Sequence, residues 1–306
     1  MKSMMVLQTD FGFGGGCAMR GTCLKVDPEL EIFDGNHQIP KFNVSSAARN
    51  LIMMVPYWPA GTVFVSVVDP GVGTSRRASV AKLKNGSYVV SPDNGSFSRL
   101  LQMPGIEEIR VIDETRNRLK GTEKTSIFHG RDLFAYCGAK LAAGIIDFEG
   151  VGEAYPVSEV IRLKADTYEV QPGLVSGYFF DWMESFGNME TNVPIEAGEK
   201  AGFAVGEMLQ VTVRDSVTGK VYFDDLAGFY PSFGWVPEGA PVVYNSSDGV
   251  LGVGLNRADF ARTYGVGIGE NWLVTIRRPE NTASFVGTAD CESLSDPAKP
   301  AQDVIS

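Results

Sequence analysis

Residues 63–77, VFVSVVDPGVGTSRR, constrain the fold more than any other stretch of the chain. A run of apolar, mostly β-branched residues stops at an acid, and Pro, Gly, Gly and two arginines follow. A strand buried on both faces reads as such a run, and the Gly/Pro turn that ends it delivers Asp69 to the strand's C-terminal end. In open α/β sheets that edge is where ligands bind. Arg76 and Arg77 then return positive charge within a few residues of the acid. A surface loop with an ordinary ion pair gives the same local pattern, so this segment alone leaves both readings open.

The first half of the chain alternates strand-like and helix-like segments, the pattern of an α/β domain. Strands are expected at 4–8, 31–34 and 63–68, a hairpin over 78–91 around Asn85 and Gly86, and helices at 17–25, 44–55 and 131–144. After about residue 160 the pattern turns to short strands with turn signals, at 173–180, 207–214, 221–223, 241–244, 250–254 and 272–278, which reads as a smaller all-β barrel or sandwich. The expected domains are 1–160 and 167–280, with a flexible tail over 287–306 that is poor in apolar residues. At 306 residues the length suits two domains.

The net charge of −10 disfavours a nucleic-acid-binding surface, which needs a basic stripe. No apolar run approaches the roughly 20 residues that span a bilayer, and the opening MKSMMVLQTDFG has no room for a signal peptide, so the expected location is cytoplasmic without membrane attachment. Four cysteines without CxxC spacing point to reduced, mostly buried thiols rather than a zinc site or disulfide framework.

Four acids, Asp10, Asp34, Asp69 and Asp93, border strand-like segments, and parallel strands would collect them along one edge. Helix N-capping is the simpler reading of Asp34, and of Asp132. Asp10 is followed by a glycine-rich loop that lets a ligand approach the backbone, although the loop lacks both the GxGxxG spacing and the P-loop lysine. The two histidines, His37 and His129, sit in polar, turn-like contexts where a satisfied loop histidine is the bland alternative. An acid, an arginine and a histidine meeting at the sheet edge would bind and orient a water molecule. Further on, Asn188, Asn192, Asn245 and Asn256 offer amides and Phe186 a flat apolar face, which suit a purine and an amino-acid head group. Turns in a β domain use the same residues.

LQTDFG, DGNHQIP, VVDPGVGTSRR, SPDNGSFS, FHGRDLFA, SFGNMETN and NSSDGVLGVGLN, in this order over about residues 6–278, resemble the signature blocks of the S-adenosylmethionine (SAM) hydroxide adenosyltransferase family, which is related to fluorinase and chlorinase. The resemblance implies an N-terminal α/β sandwich domain with a mostly parallel sheet and a C-terminal all-β, barrel-like domain, assembled as a homotrimer with substrate held between adjacent subunits. It implies hydrolysis of SAM to adenosine and L-methionine without a cofactor or metal, and a catalytic set of Asp69, Arg76 and His129. It matches Asp10 to the ribose diol, Phe42 to an aromatic that covers the pocket, Glu184 to the acid that binds the substrate's amino group, Asn188 to the methionine moiety, and Phe186 and Asn256 to the surroundings of adenine. The chain departs from the family pattern at Gly15, near the place of a second acid, and at Asp248, which offers no partner for the substrate's carboxylate.

Three other readings stand beside this one. A halide-dependent relative would give a halogenated adenosine, although an anionic Asp69 in the nucleophile pocket would repel the halide. A metal-dependent hydrolase would use Asp10, Asp69, Asp93 and His129 as ligands and lose activity to a chelator. A non-catalytic SAM-binding protein would bind without turnover.

Overall fold

The computed structural model describes residues 2–12, 14–164, 167–183 and 185–279. Glu184 and the segment read as a tail, 287–306, lie outside the described residues. The chain divides into two units after Lys164.

In the first unit, Met5–Thr9 (β1), Ile32–Asn36 (β2), Val63–Val67 (β3), Ala78–Leu83 (β4), Tyr88–Pro92 (β5), Ile106–Val111 (β6) and Ala154–Tyr155 (β7) form a seven-stranded sheet in the order β2-β1-β3-β5-β4-β6-β7. The four strands β2, β1, β3 and β5 run parallel, and β4, β6 and β7 are paired antiparallel. Every residue of β1 and β3 is buried, as a strand covered on both faces requires. Of the buried polar residues Gln8, Thr9 and Ser66, Gln8 donates to the Ala47 carbonyl at 3.0 Å and to Ser66 Oγ at 2.6 Å.

Four helices flank the sheet: Cys17–Val26 (α1), Val44–Met54 (α2), Glu114–Asn117 (α3) and Tyr136–Ala142 (α4). Alternation along the strands sends side chains to opposite faces. Met5, Leu7, Val63 and Val65 pack with Met19, Cys23, Phe134 and Cys137, while Val6 and Phe64 pack with Leu51, Val55 and Phe97 on the other face. The result is a helix–sheet–helix sandwich. The expected helix at 131–144 opens as a π-helical turn, Gly130–Ala135, before continuing as α4. Burial pushes the thiols of Cys23 and Cys137 up to about 12, which leaves them inert packing groups.

In the second unit, Glu169–Gln171 (β8), Leu174–Met183 (β9), Asn188–Pro194 (β10), Met208–Asp215 (β11), Val221–Phe229 (β12), Pro241–Asn245 (β13), Val250–Leu255 (β14) and Trp272–Arg277 (β15) follow one another, with helices Ile195–Ala201 (α5) and Phe260–Tyr264 (α6) between them. The order β10-β14-β13-β12-β11-β15-β9 closes through a β9–β10 pairing into a seven-stranded barrel, and β8 adds to β9. Closure removes the exposed edges of an open sheet. Val211, Phe223, Val243, Val253, Phe260 and Val274 are among the residues that fill it.

The β1–β3 register pairs Thr9 with Val67, so Asp10 and Asp69 leave the sheet at the same edge. Gly138 in α4 keeps the neighbouring helix close to β3, since a Cβ there would stand 2.9 Å from Val65 Cγ2. Gly138→Ala is expected to destabilise the protein by about 1–3 kcal/mol through overpacking, read as a lower urea midpoint at unchanged slope. A midpoint equal to the parent's would contradict this close approach.

Candidate active site

The turn after β3 is built by local bonds. Val72 N donates to the Asp69 carbonyl (3.2 Å) and Thr74 Oγ1 to the Gly71 carbonyl (2.7 Å). This reversal returns Arg76 onto Asp69. The guanidinium grips the carboxylate from two nitrogens, Nε to Oδ1 and Oδ2 at 3.1 and 3.0 Å and Nη2 to Oδ2 at 2.5 Å. Both side chains are nearly buried, at 8% and 5% exposure, and the guanidinium lies over the Phe134 ring at 5.1 Å.

Nη2 of Arg76 also reaches His129 Nδ1 at 2.9 Å. Guanidinium nitrogens only donate, so Nδ1 accepts and the imidazole proton resides on Nε2; the pairing assigns this tautomer. His129 is buried, and its Nε2 has no hydrogen-bond partner among the described residues. Burial first, then the Arg76 charge, hold its pKa below the ordinary 6.5. His129 immediately precedes the π-helical turn, a distortion frequent at functional sites. Asp69, Arg76 and His129 therefore meet, with the imidazole neutral and able to donate from Nε2.

Asp10 continues from β1 and accepts the Phe42 backbone N–H at 2.8 Å. Phe42 adopts φ +65° and is 68% exposed, conditions that a bulky residue rarely meets without a local restraint. Phe11 packs its ring against Phe128, with centroids 5.7 Å apart. Its ring atoms also lie close to Gly130, so the Asp10 loop and the His129 segment share one contact. His37 belongs to a neighbouring network, bonded to Thr9 Oγ1 at 2.8 Å and Asp34 Oδ1 at 3.2 Å.

Two acids, Asp34 and Asp132, differ from their sequence readings, and Asp93 stands at the end of β5 as expected. Asp34 lies inside β2 and pairs with Arg20 at 2.7 Å, so it caps no helix. Asp132 is a buried member of the π-helical turn paired with Arg131 at 2.6 Å. Asp93 accepts from Arg77, from the Tyr155 hydroxyl at 3.1 Å and from Ile161 N at 2.9 Å. Its oxygens are engaged in holding the sheet edge, and burial pushes the Tyr155 phenol beyond its usual range. Among the described residues no group of three or more His, Cys, Asp or Glu is arranged to hold a metal ion.

The second unit carries a cavity of about 880 Å³ whose wall includes Phe186, Asn188 and Asn256. Gly254 makes room for Asn188, since a Cβ there would meet its Oδ1 at 2.9 Å. Asn256 donates to the Val236 carbonyl at 2.7 Å. Asn192 is a structural staple instead, accepting from Tyr178 N and donating to the Thr167 carbonyl. Glu190 and Ser246 also line the cavity. The sequence reading missed both, although Asn188, Glu190 and Asn192 are polar at the period of two that marks one face of a strand.

The profile of the SAM hydroxide adenosyltransferase N-terminal domain matches residues 5–152, and that of the C-terminal domain matches residues 181–273. Over 244 residues the chain is 34% identical to an (R)-S-adenosyl-L-methionine hydrolase from Thermus thermophilus, covering 78% of this chain and 86% of that protein. The chain belongs to the SAM hydroxide adenosyltransferase family. It is thus an enzyme of a family whose relatives carry two kinds of name. A fluorinase from Actinoplanes sp. is 28% identical over 280 residues, covering 84% of this chain and 91% of that one. A crystal structure of an uncharacterized conserved protein from Thermotoga maritima superposes with a TM-score of 0.78 at 31% identity, covering 90% of this chain and all of that one. No helix among the described residues of this SAM hydroxide adenosyltransferase is long and apolar enough to cross a membrane.

The His129 assignment is directly testable, because the chain has only two histidines. Nitrogen-15 NMR is expected to show one imidazole titrating below 6.5 whose neutral form carries its proton on Nε2. The signs agree: a lowered pKa means the folded state resists protonation, so the stability that neutral His129 contributes is full above 6.5 and is lost as pH falls toward the depressed value. A midpoint at or above 6.5, or an Nδ1–H tautomer, would contradict the pairing with Arg76.

Proposed function

We propose that the protein hydrolyses S-adenosyl-L-methionine to adenosine and L-methionine by in-line attack of water or hydroxide on the ribose 5′ carbon. The observation that carries this reading is the buried Asp69–Arg76–His129 cluster, with its fixed imidazole tautomer, at the edge of the parallel sheet. The bond from the 5′ carbon to oxygen forms as the bond to sulfur breaks. Sulfur keeps the electron pair and leaves as a neutral thioether, so nothing has to protonate it. The chemical demand falls on the nucleophile and on its placement.

Each member of the cluster has a role that suits that demand. Nδ1 of His129 is occupied by Arg76, so the imidazole acts as a donor: Nε2–H orients the attacking oxygen by one of its lone pairs. Asp69 receives the proton that water loses. Arg76 fixes both partners and its positive charge favours the hydroxide form. Hydroxide meeting a sulfonium annihilates charge, a step that exclusion of bulk water accelerates. Alignment contributes about 7 kcal/mol or more through effective concentration.

By resemblance, Asp10 holds the ribose diol, Phe42 covers the pocket, and Phe186, Asn188 and Asn256 serve the adenine and methionine moieties. The same resemblance supports a homotrimer. Fluorinase relatives favour a second reading, in which a halide replaces water. The Asp69 carboxylate beside His129 argues against it, because it serves a nucleophile that has a proton to lose, as water does and a halide does not.

Activity is tested by following SAM loss and product formation chromatographically, with and without chloride and fluoride. The parent is expected to give adenosine at a rate indifferent to halide. Asp69→Asn and His129→Ala are expected to fall by about 10²–10⁴-fold, the usual weight of a positioned proton-transfer group. A 5′-halogenated adenosine would favour the second reading, and variants with parental rates would remove the cluster from the mechanism.

A further inference from the structure

Two neighbouring residues at the end of β5 hold both feet of the reversal that carries Asp69 and Arg76. The Tyr88 N–H donates to the Thr62 carbonyl at 2.9 Å, and the parallel β3–β5 pairing runs on to Val65–Val90. Backbone groups alternate in direction along a strand, so residues 88, 90 and 92 turn theirs toward β3. Pro92 has no N–H to give. Beyond that gap Asn94 restores the link with its side chain, whose Nδ2 donates to the Val68 carbonyl at 2.9 Å. Its Oδ1 accepts from the Ser96 hydroxyl at 2.8 Å and from the Ser96 N–H at 3.3 Å, which holds the amide with its donors toward β3.

Asp93 holds the other foot. Its N–H donates to the Arg77 carbonyl at 2.9 Å, and its carboxylate accepts from Arg77 Nε at 3.1 Å. The carboxylate is fully buried and also accepts from the Tyr155 hydroxyl and from Ile161 N, so it is anchored from a third direction. Val68 and Arg77 flank the segment 69–76, and Asp69 and Arg76 each stand one residue inside a fixed foot. Bonds within the reversal, from Val72 N to the Asp69 carbonyl and from Thr74 N to the Gly71 carbonyl, shape its tip. The Asp93–Asn94 pair sets how far apart its ends stand.

We infer that Asn94 is a positioning residue for the reaction, holding Val68 so that Asp69 meets the guanidinium that also fixes His129, with Asp93 on Arg77 as the opposite jaw of one clamp. This rests on the reading of Asp69, Arg76 and His129 as the catalytic set. Nη2 of Arg76 serves both Asp69 Oδ2 and His129 Nδ1, so a displacement of Asp69 is passed to the imidazole through a shared nitrogen. A misplacement of about 1 Å costs on the order of 100-fold in rate. Asn94 thus acts on the reaction through the carbonyl next to Asp69.

The test uses the full chain with Asn94→Asp, which keeps the acceptor for Ser96 and removes the donor to Val68, beside Asn94→Ala and Asn94→Ser. In the folded variants kcat for SAM is expected to fall about 10–100-fold with KM little changed, because ground-state binding is left in place. Asn94→Ser should lose least, since its hydroxyl still donates. Nitrogen-15 NMR is expected to show neutral His129 as a mixture of tautomers in these variants, where the parent holds the Nε2–H form. A parental kcat in a folded Asn94→Asp protein, even one with a lowered urea midpoint, would overturn the inference, and so would an unmixed Nε2–H tautomer in it. Failure of all three variants to fold would also overturn it, by making the bond a requirement of the fold alone. A parent that never hydrolyses SAM would refute the hydrolytic reading, while mixed tautomers in the variants would leave the clamp standing. SAM hydrolysis at parental rates in the folded variants would do the opposite.

Discussion

The guanidinium of Arg76 is the group on which the site depends. It bonds Asp69 through two nitrogens and His129 through one, and it can do nothing but donate. That one-way character decides the chemistry of its partners: Asp69 stays an acceptor, and His129 is left with its proton on Nε2. A lysine in its place would supply charge but not the planar fork that addresses a carboxylate and an imidazole together. Removing either member of the nearly buried Asp69–Arg76 pair leaves a charge stranded, a loss of about 3–5 kcal/mol, so the cluster is also a fold element of the sheet edge.

The sheet makes that arrangement possible. Parallel pairing of β1 with β3 in the Thr9–Val67 register brings Asp10 and Asp69 to the same edge, and the buried alternation of the two strands fixes which residues face which helical layer. Phe11, in contact with Phe128 and close to Gly130, ties the Asp10 loop to the His129 segment. In the barrel, position works through small residues: Gly254 leaves the space that Asn188 occupies.

Much of this was legible in the residues. Continuous apolar runs announce β1 and β3, an Asn-Gly turn announces the β4–β5 hairpin, and VVDPGVGTSRR carries both the acid and the arginine of the cluster on one reversal. His129 was legible only as a neighbour of the helix that follows. Its tautomer was not, because that depends on an arginine 53 residues away in sequence. Asp34 and Asp132 misled for a related reason: an aspartate in a polar context looks like a helix cap until the partner, Arg20 or Arg131, is seen to claim it. The strand β10 reads as NMETNVP, too polar to suggest a buried strand, and its side chains stay buried because Asn192 staples backbone groups and Glu190 meets Ser246. Those are long-range bonds, invisible to a local pattern.

The most direct measurement is the origin of the oxygen in the product. Turnover of SAM in oxygen-18 water is expected to place one labelled oxygen at the 5′ position of adenosine and none in methionine, at the same rate with a chelator present. Adenosine without the label, or a 5′-halogenated nucleoside formed in its place, would contradict attack by water at the ribose 5′ carbon.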